Sequence, residues 1–309
     1  MEELTLYHNI VTVNPVMIAG WPGMGSVALG VVEYLRKALN AAEFAQIKID
    51  PMATLDAVTV EGGIAAIPPP PRNTFYYAKG PGLILFEGEA QIHGQGGISL
   101  LNKVLDLASK FNVKMIYTGA AFPIPVSYKE TPEVYGAVNE KSLIDILVKN
   151  GVTMMEAGQI SGLNGLMLGF AKERNIKALC LLATMPQYAI GLPNPKASRA
   201  VIDCLQKIIK LKADLSGLDD YIKDIDEKMA LIEDKVKDVL TIEMEGRKPP
   251  APPKSGKKTP AYIIEKVERL FREAKIDRSK AIDLKKELDR WDLYKLYEDR
   301  FLDLFKKNR

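Results

Sequence analysis

Reactive and metal-binding side chains are scarce in this 309-residue chain, which has two cysteines, two histidines and two tryptophans. Cys180 and Cys204 lie far apart in apolar segments, so they make neither a disulfide framework nor a CxxC metal pair. His8 and His93 are too few for a zinc cluster, and no metal or cofactor is expected. Long hydrophobic runs are missing as well. None reaches the roughly 18 residues that a membrane helix needs, and the opening MEELTLYHNI is acidic, unlike a secretory leader. Nor is there an excess of one charge: 42 Lys and Arg against 39 Asp and Glu leave a formal +3. Such a balance gives no field for nucleic acid or an anionic membrane. The expectation is a soluble cytoplasmic protein with neither as a partner.

What is present is unevenly distributed. Residues 1–210 carry 17 acidic and 18 basic side chains, whereas residues 211–309 carry 22 and 24 in less than half the length. The first part is long and apolar enough to bury one large core, since a domain of this size hides roughly 70% of its unfolded surface. Within it, short apolar runs at Val16–Ala19, Leu83–Phe86, Met115–Tyr117 and Ala178–Ala183 alternate with helical periodicity. One stripe is Val27, Val31, Tyr34, Leu35 and Leu39; another is Leu101, Val104, Leu105 and Ala108. This βα alternation predicts an α/β domain over residues 1–210 with a mostly parallel sheet. The segment IPPPPR, Ile67 to Arg72, lacks ladder donors and predicts an extended surface or edge connection.

From Leu211 the pattern changes. Leu211, Leu215, Leu218, Ile222, Ile225, Met229, Ile232, Val236 and Val239 repeat by alternating fours and threes, a heptad seam on a long helix over residues 211–246. Two outcomes are open: packing against another copy or partner as a coiled coil, or lying along the chain's own domain. Residues 247–260, RKPPAPPKSGKKTP, predict a semi-rigid basic linker. Residues 261–309 predict further helices, the last carrying Trp291, Tyr294, Phe301 and Phe305 on one face. That face is too large to leave in water and should dock on the body, another subunit or a partner. From Arg247 to Arg309 the count is 19 positive to 11 negative residues, so an acidic partner would be met there.

Three loops could carry chemistry. Gly20-Trp21-Pro22-Gly23-Met24-Gly25-Ser26 joins the first strand to the first helix, where backbone amides can approach an anion. It lacks the Lys of a GxxxxGK[ST] loop, and Pro22 removes a donor; the alternative is a tight turn with Ser26 as a cap. Glu87-Gly88-Glu89, followed by Gln91, His93 and Gly94, puts two carboxylates and an imidazole near one strand end, a possible acid and base set. The alternative is a glycine-rich turn in which His93 makes one hydrogen bond. Third, Gly158 to Gly165 contains Ser161 and Asn164, but the spacing is not G-x-S-x-G, and Ser161 reads better as a helix cap. The ligand-crevice candidates are therefore Trp21, Gly23, Gly25, Ser26, Glu87, Glu89, His93, Ser161 and Asn164. Candidates for self-association or partner contact are Leu215, Ile222, Ile225, Met229, Ile232, Trp291, Tyr294, Phe301 and Phe305.

The succession GWPGMGS, FEGEAQIHGQGG, MIYTGAA, GQISGLNGLMLGFAKERNIKALCLLATMPQY and PNPKASRAVIDCL resembles the proteasome assembly chaperone 2 family over roughly residues 10 to 240. The resemblance implies a three-layer fold like that of nucleoside phosphorylases, here with a helical C-terminal extension, and a homo-oligomer that assists assembly of the 20S proteasome. The family has also carried a label of ATP-grasp carboxylate-amine ligase, which would place a nucleotide in the crevice at the strand carboxyl ends. None of the three loops contains a lysine to meet a triphosphate. Archaeal members characteristically end in a hydrophobic-Tyr-any tripeptide, whereas this sequence ends Lys307-Asn308-Arg309, so the resemblance does not carry that docking mode over. The segment PIPVSYKETPEVY, 123 to 135, also departs from the more polar loop of other members. The leading expectation is a non-enzymatic assembly protein whose partners are itself and proteasome subunits or another protein complex.

Overall fold

The structure is a computed structural model that describes residues 3–49, 58–245, 267, 270, 271, 274, 280–291 and 293–304. It divides into two compact units, residues 1–242 and 243–309.

In the first unit the strands are β1 (Glu3–Leu6), β2 (Val16–Gly20), β3 (Ala42–Lys48), β4 (Thr59–Glu61), β5 (Ile64–Ala66), β6 (Asn73–Ala78), β7 (Leu83–Gly88), β8 (Met115–Ile124), β9 (Val134–Val138), β10 (Thr153–Met154) and β11 (Lys177–Pro186). The helices are α1 (Val27–Ala38), α2 (Gly94–Lys110), α3 (Ile144–Lys149), α4 (Gly162–Glu173), α5 (Pro195–Ile209) and α6 (Ser216–Glu245). Among the described residues one sheet has nine strands in the order β1-β3-β6-β7-β2-β8-β11-β9-β10, and β4 pairs with β5 as a separate hairpin.

The four apolar runs legible in the sequence are β2, β7, β8 and β11, and they form a contiguous parallel centre. These strands are covered on both faces, which is why they read as nearly unbroken hydrophobic stretches. The expectation of a mostly parallel sheet holds only for that centre. β1, β3 and β6 continue the sheet on one side by antiparallel ladders, and β9 adds antiparallel to β11 on the other. Those flanking strands mix polar and apolar residues, so no uniform run announces them, and the sheet is mixed.

Alternation along the strands builds two cores. Ile18, Leu85, Tyr117 and Leu181 face α1 and α5, with Val31, Leu35, Val201 and Leu205 from those helices. Met17, Phe86, Ile116 and Cys180 face the opposite way, toward Leu101 and Val104 of α2 and Met167 of α4. The body is thus three layers, helices on either side of the sheet. Each fully buried aliphatic side chain contributes about 1.5–3 kcal/mol by leaving water.

The heptad helix α6 begins at Ser216 rather than at 211, so Leu211 and Leu215 precede it, and the seam is used within this unit. Leu215, Leu218 and Met229 are buried in the core that α1 and α5 line, and Ile222 and Ile225 pack against it. Ile232 is half-buried. The side chains of Val236 and Val239 lie outside the described residues.

The second unit contains α7 (Ala281–Arg290) and α8 (Tyr294–Asp303). Val267, Phe271, Leu284, Leu288 and Phe301 make its own small core, with Trp291 and Tyr294 packed against it. Tyr294 and Phe301 rings stack edge to face at 5.6 Å, and Trp291 donates its indole N–H to Glu287 at 3.1 Å. The expected single helix is two, with Trp291 at the end of α7 and Tyr294 and Phe301 on α8, and these aromatics find partners inside their own unit because the helices fold back on each other. Phe305 lies outside the described residues.

Candidate functional site

The loops singled out in the sequence meet at the carboxyl ends of β2 and β7, where the parallel centre of the sheet places them side by side. What they do there is bond to one another. The Asn164 side chain accepts from the Trp21 backbone N–H at 3.0 Å and donates back to the Trp21 carbonyl at 3.1 Å. An amide facing a peptide unit can satisfy both of its polar groups at once. Thr118 of β8 donates to the Asn164 carbonyl at 3.0 Å, so one residue ties β2, β8 and α4 together. Gln91 makes a parallel link, donating to the Pro22 carbonyl and accepting from the Leu163 N–H at 3.0 Å.

The anion-cradle possibility of the Trp21–Ser26 loop meets the same closure. The Gly25 N–H donates to the Ile190 carbonyl at 2.9 Å and the Ser26 N–H to the Gly23 carbonyl at 2.9 Å. Gly25 has φ +64 and packs so closely on Met185 that an added Cβ would lie 2.7 Å from its sulfur. Glycine is therefore required there by both conformation and space. Trp21 is fully buried, its ring 4.9 Å from that of Phe86. Ser26 stands at the N-terminus of α1 in a left-handed conformation and makes no capping bond.

The supposed acid and base set does not converge. Glu87, on the α1 face of the sheet, pairs with Arg36 at 2.7 Å, and Arg36 lies 4.9 Å over the Tyr76 ring. Burial, then the neighbouring Glu87, raises the Glu33 carboxyl above its ordinary range. Glu89 is exposed and accepts from the Arg72 backbone N–H at 2.8 Å. His93 is exposed at the start of α2 and makes no capping bond. Ser161 occupies the cap position of α4 without a side-chain bond, because Gln91 serves the first turn instead. Burial pushes the Cys180 thiol up to about 12, which keeps it protonated and unreactive. Among the described residues no three His, Cys, Asp or Glu side chains cluster to hold a metal, and no helix is long and apolar enough to cross a membrane.

A second constellation, not foreseen in the sequence, fastens α6 to the body. Buried Glu233 accepts from Ser127 at 2.9 Å, from the Tyr128 N–H at 3.1 Å and from the Tyr188 hydroxyl at 2.6 Å. Burial, and then the bond to Glu233, raise the Tyr188 phenol well above its ordinary value. Lys196 of α5 meets Asp226 at 2.7 Å and donates to the Tyr128 carbonyl at 2.7 Å. Arg199 pairs with both Asp203 and Asp219. The only signal in the sequence is position: Glu233 follows Met229 by four, beside the seam.

Comparison with known proteins places these features. The PAC2 family model matches residues 17–233, ending at the carboxylate that anchors α6. Two uncharacterised proteins of Methanocaldococcus jannaschii are 25% and 27% identical, over 69% and 70% of this chain and 81% and 84% of their own lengths. Among solved structures, Pyrococcus furiosus PbaB, an archaeal proteasome activator, is 26% identical with a TM-score of 0.64, covering 75% of this chain and 98% of its own. P. furiosus PbaA, an archaeal homolog of proteasome-assembly chaperone, is 21% identical with a TM-score of 0.60, covering 79% and 97%. A proteasome-assembly chaperone homologue of Mycobacterium tuberculosis shares the fold at 19% identity and a TM-score of 0.57, covering 70% and 94%. With the family model matching well over half of its length, the chain belongs to the PAC2 family.

Proposed function

We propose that this chain is a non-enzymatic, self-associating assembly protein that acts on a proteasome-type complex in the cytoplasm. The observation that carries the reading is the closure of the strand-end loops. Gln91, Asn164 and the amides of Gly25 and Ser26 are spent on holding the loops to each other, so the groups that would orient a small substrate serve as a scaffold. The three-layer body, likened to a nucleoside phosphorylase, then supplies surface rather than an active site. Similarity to an archaeal proteasome activator over nearly that protein's whole length supports the choice of a proteasome-type partner. The excess of positive charge from Arg247 onward favours an acidic one.

Purified chain mixed at micromolar concentration with 20S proteasome and, separately, with free proteasome α subunits should give a comigrating species on native gels. Removing residues 247–309 should weaken capture while the body keeps its thermal midpoint. Failure of the intact chain to retain either form of the proteasome overturns the reading.

A further inference from the structure

The strand carboxyl ends are closed by their own loops, but the opposite end of the sheet contains a cavity of about 670 Å³, a size that suits small ligands. Val16 and Leu83, which pair at the amino ends of β2 and β7, line one side. Ile208 in the last turn of α5 and Leu211 in the connector from α5 to α6 line the other. The walls are therefore aliphatic, with the sheet facing the connector.

Tyr117 of β8 also lines the cavity. It lies deeper than the strand starts, because Ile18 pairs with Tyr117 where Val16 pairs with Met115. The residue is only 5% exposed, yet among the described residues its hydroxyl bonds to nothing. A buried tyrosine hydroxyl normally finds a partner. Nor is this one sealed inside packed protein, since the fully enclosed side-chain atoms without partners are Trp21 Nε1 and Asn73 Oδ1. The cavity is thus the space that the hydroxyl faces. Burial pushes the phenol up to about 12, so at neutral pH it keeps a proton to donate.

The mouth is cationic. Lys210 and Lys212 line the cavity and are exposed, and among the described residues neither ammonium has a partner. No described aspartate or glutamate lines the cavity. Asp203 and Asp214, beside Lys212 in the adjoining groove, are engaged by Arg199 and by Ser216. The carboxyl end of α5 contributes only about half a negative charge, too little to cancel two ammoniums. Lys210 also holds φ +52, a left-handed conformation in which glycine is the usual residue after a helix.

We infer that this cavity binds an amphipathic organic anion, with its apolar body between the sheet and the α5–α6 connector, its charge on Lys210 and Lys212, and a polar atom of the body on the Tyr117 hydroxyl. The inference is independent of the partner proposed above. Gln206 and Tyr34 hold the connector through the Ala213 and Asp214 carbonyls, each at 3.0 Å. An occupant adds a bridge from the connector to β2 and β7, and so steadies the root of α6.

Two fluorescent probes with nearly the same body separate charge from apolar contact: anionic 8-anilinonaphthalene-1-sulfonate and uncharged N-phenyl-1-naphthylamine. With the full chain at neutral pH, the sulfonate should bind saturably, one per chain, and about tenfold more tightly than the neutral probe, as two exposed ion pairs allow. Lys210→Gln combined with Lys212→Gln should bring the sulfonate to the affinity of the neutral probe and leave the neutral probe unaffected. Tyr117→Phe should weaken both about fivefold without lowering the thermal midpoint, because the hydroxyl has no protein partner to lose. With the sulfonate bound, hydrogen exchange should slow at residues 13–16 and 208–214. Absent or unsaturable binding, equal affinity for the two probes, a lysine variant that holds the sulfonate as the intact chain does, or slowed exchange confined to other segments overturns the inference. Undiminished binding by Tyr117→Phe overturns the part assigned to the hydroxyl.

Discussion

At the strand carboxyl ends two neutral amides, Gln91 and Asn164, hold three loops together; along α5, charged groups hold α6. Both sets join residues far apart in sequence, but their physics differs. The amide links, buried at Asn164 and half-buried at Gln91, exchange one peptide-like pairing for another, so they respond to neither salt nor pH and are costly only when broken. The strap along α6 is mixed: its Lys196 and Arg199 pairs lie at the protein–water boundary and add little net stability each, subject to screening, whereas Glu233 is buried and its bonds depend on protonation. The body thus has a rim built to stay closed and a helix attached by groups that conditions can loosen.

Asn164→Ala should have the largest effect on this contrast. It strips the partners from both polar groups of the buried Trp21 peptide, and urea unfolding should register a loss of about 3 kcal/mol. A loss below about 1 kcal/mol would mean that the rim is not closed by this link. Glu233→Ala should cost about 2 kcal/mol, since bonds to a charged acceptor are worth more than neutral ones. Hydrogen exchange should rise along α6 and stay unchanged at the rim.

Alkaline titration comes next. Tyr188 holds its proton more tightly folded than unfolded. The contribution is therefore complete below the ordinary tyrosine value of about 10 and is lost as pH rises through the higher folded value. Exchange of α6 amides, corrected for intrinsic rate, should accelerate above about pH 10, with Tyr188→Phe removing the added pH dependence. Smallest is salt. Going from 0.1 to 1 M shortens the Debye length from about 10 to about 3 Å and should cost the Lys196–Asp226 and Arg199–Asp219 pairs together less than about 1 kcal/mol, with no effect on the Asn164 links.

Much of the body was legible. The runs at Val16, Leu83, Met115 and Ala178 became the parallel centre, because strands covered on both faces must be apolar on both. The proline run after Ile67 joins the exposed hairpin to β6 with no strand of its own. The flanking strands were hidden, since β3 turns partly toward solvent and the buried β6 mixes polar with aromatic residues, and their pairing depends on residues distant in sequence. The chemistry-bearing loops were found but their roles were not. Glu87 and Glu89 are neighbours in sequence, yet one turns to Arg36 on α1 and the other to the Arg72 backbone. Gln91, which does the linking, has no composition signal that separates it from any loop glutamine.

Periodicity by itself determined that α6 would be a long helix with one apolar stripe, since spacing by threes and fours is a property of the local helix alone. It also marked the aromatic face at Trp291, Tyr294 and Phe301 as one that must be buried. What buries each stripe was decided only by tertiary structure: the core of the first unit for α6 and the helices of the second unit for the aromatics. A stripe states that apolar area must leave water and leaves the covering surface open, because the hydrophobic effect is proportional to area and has no direction.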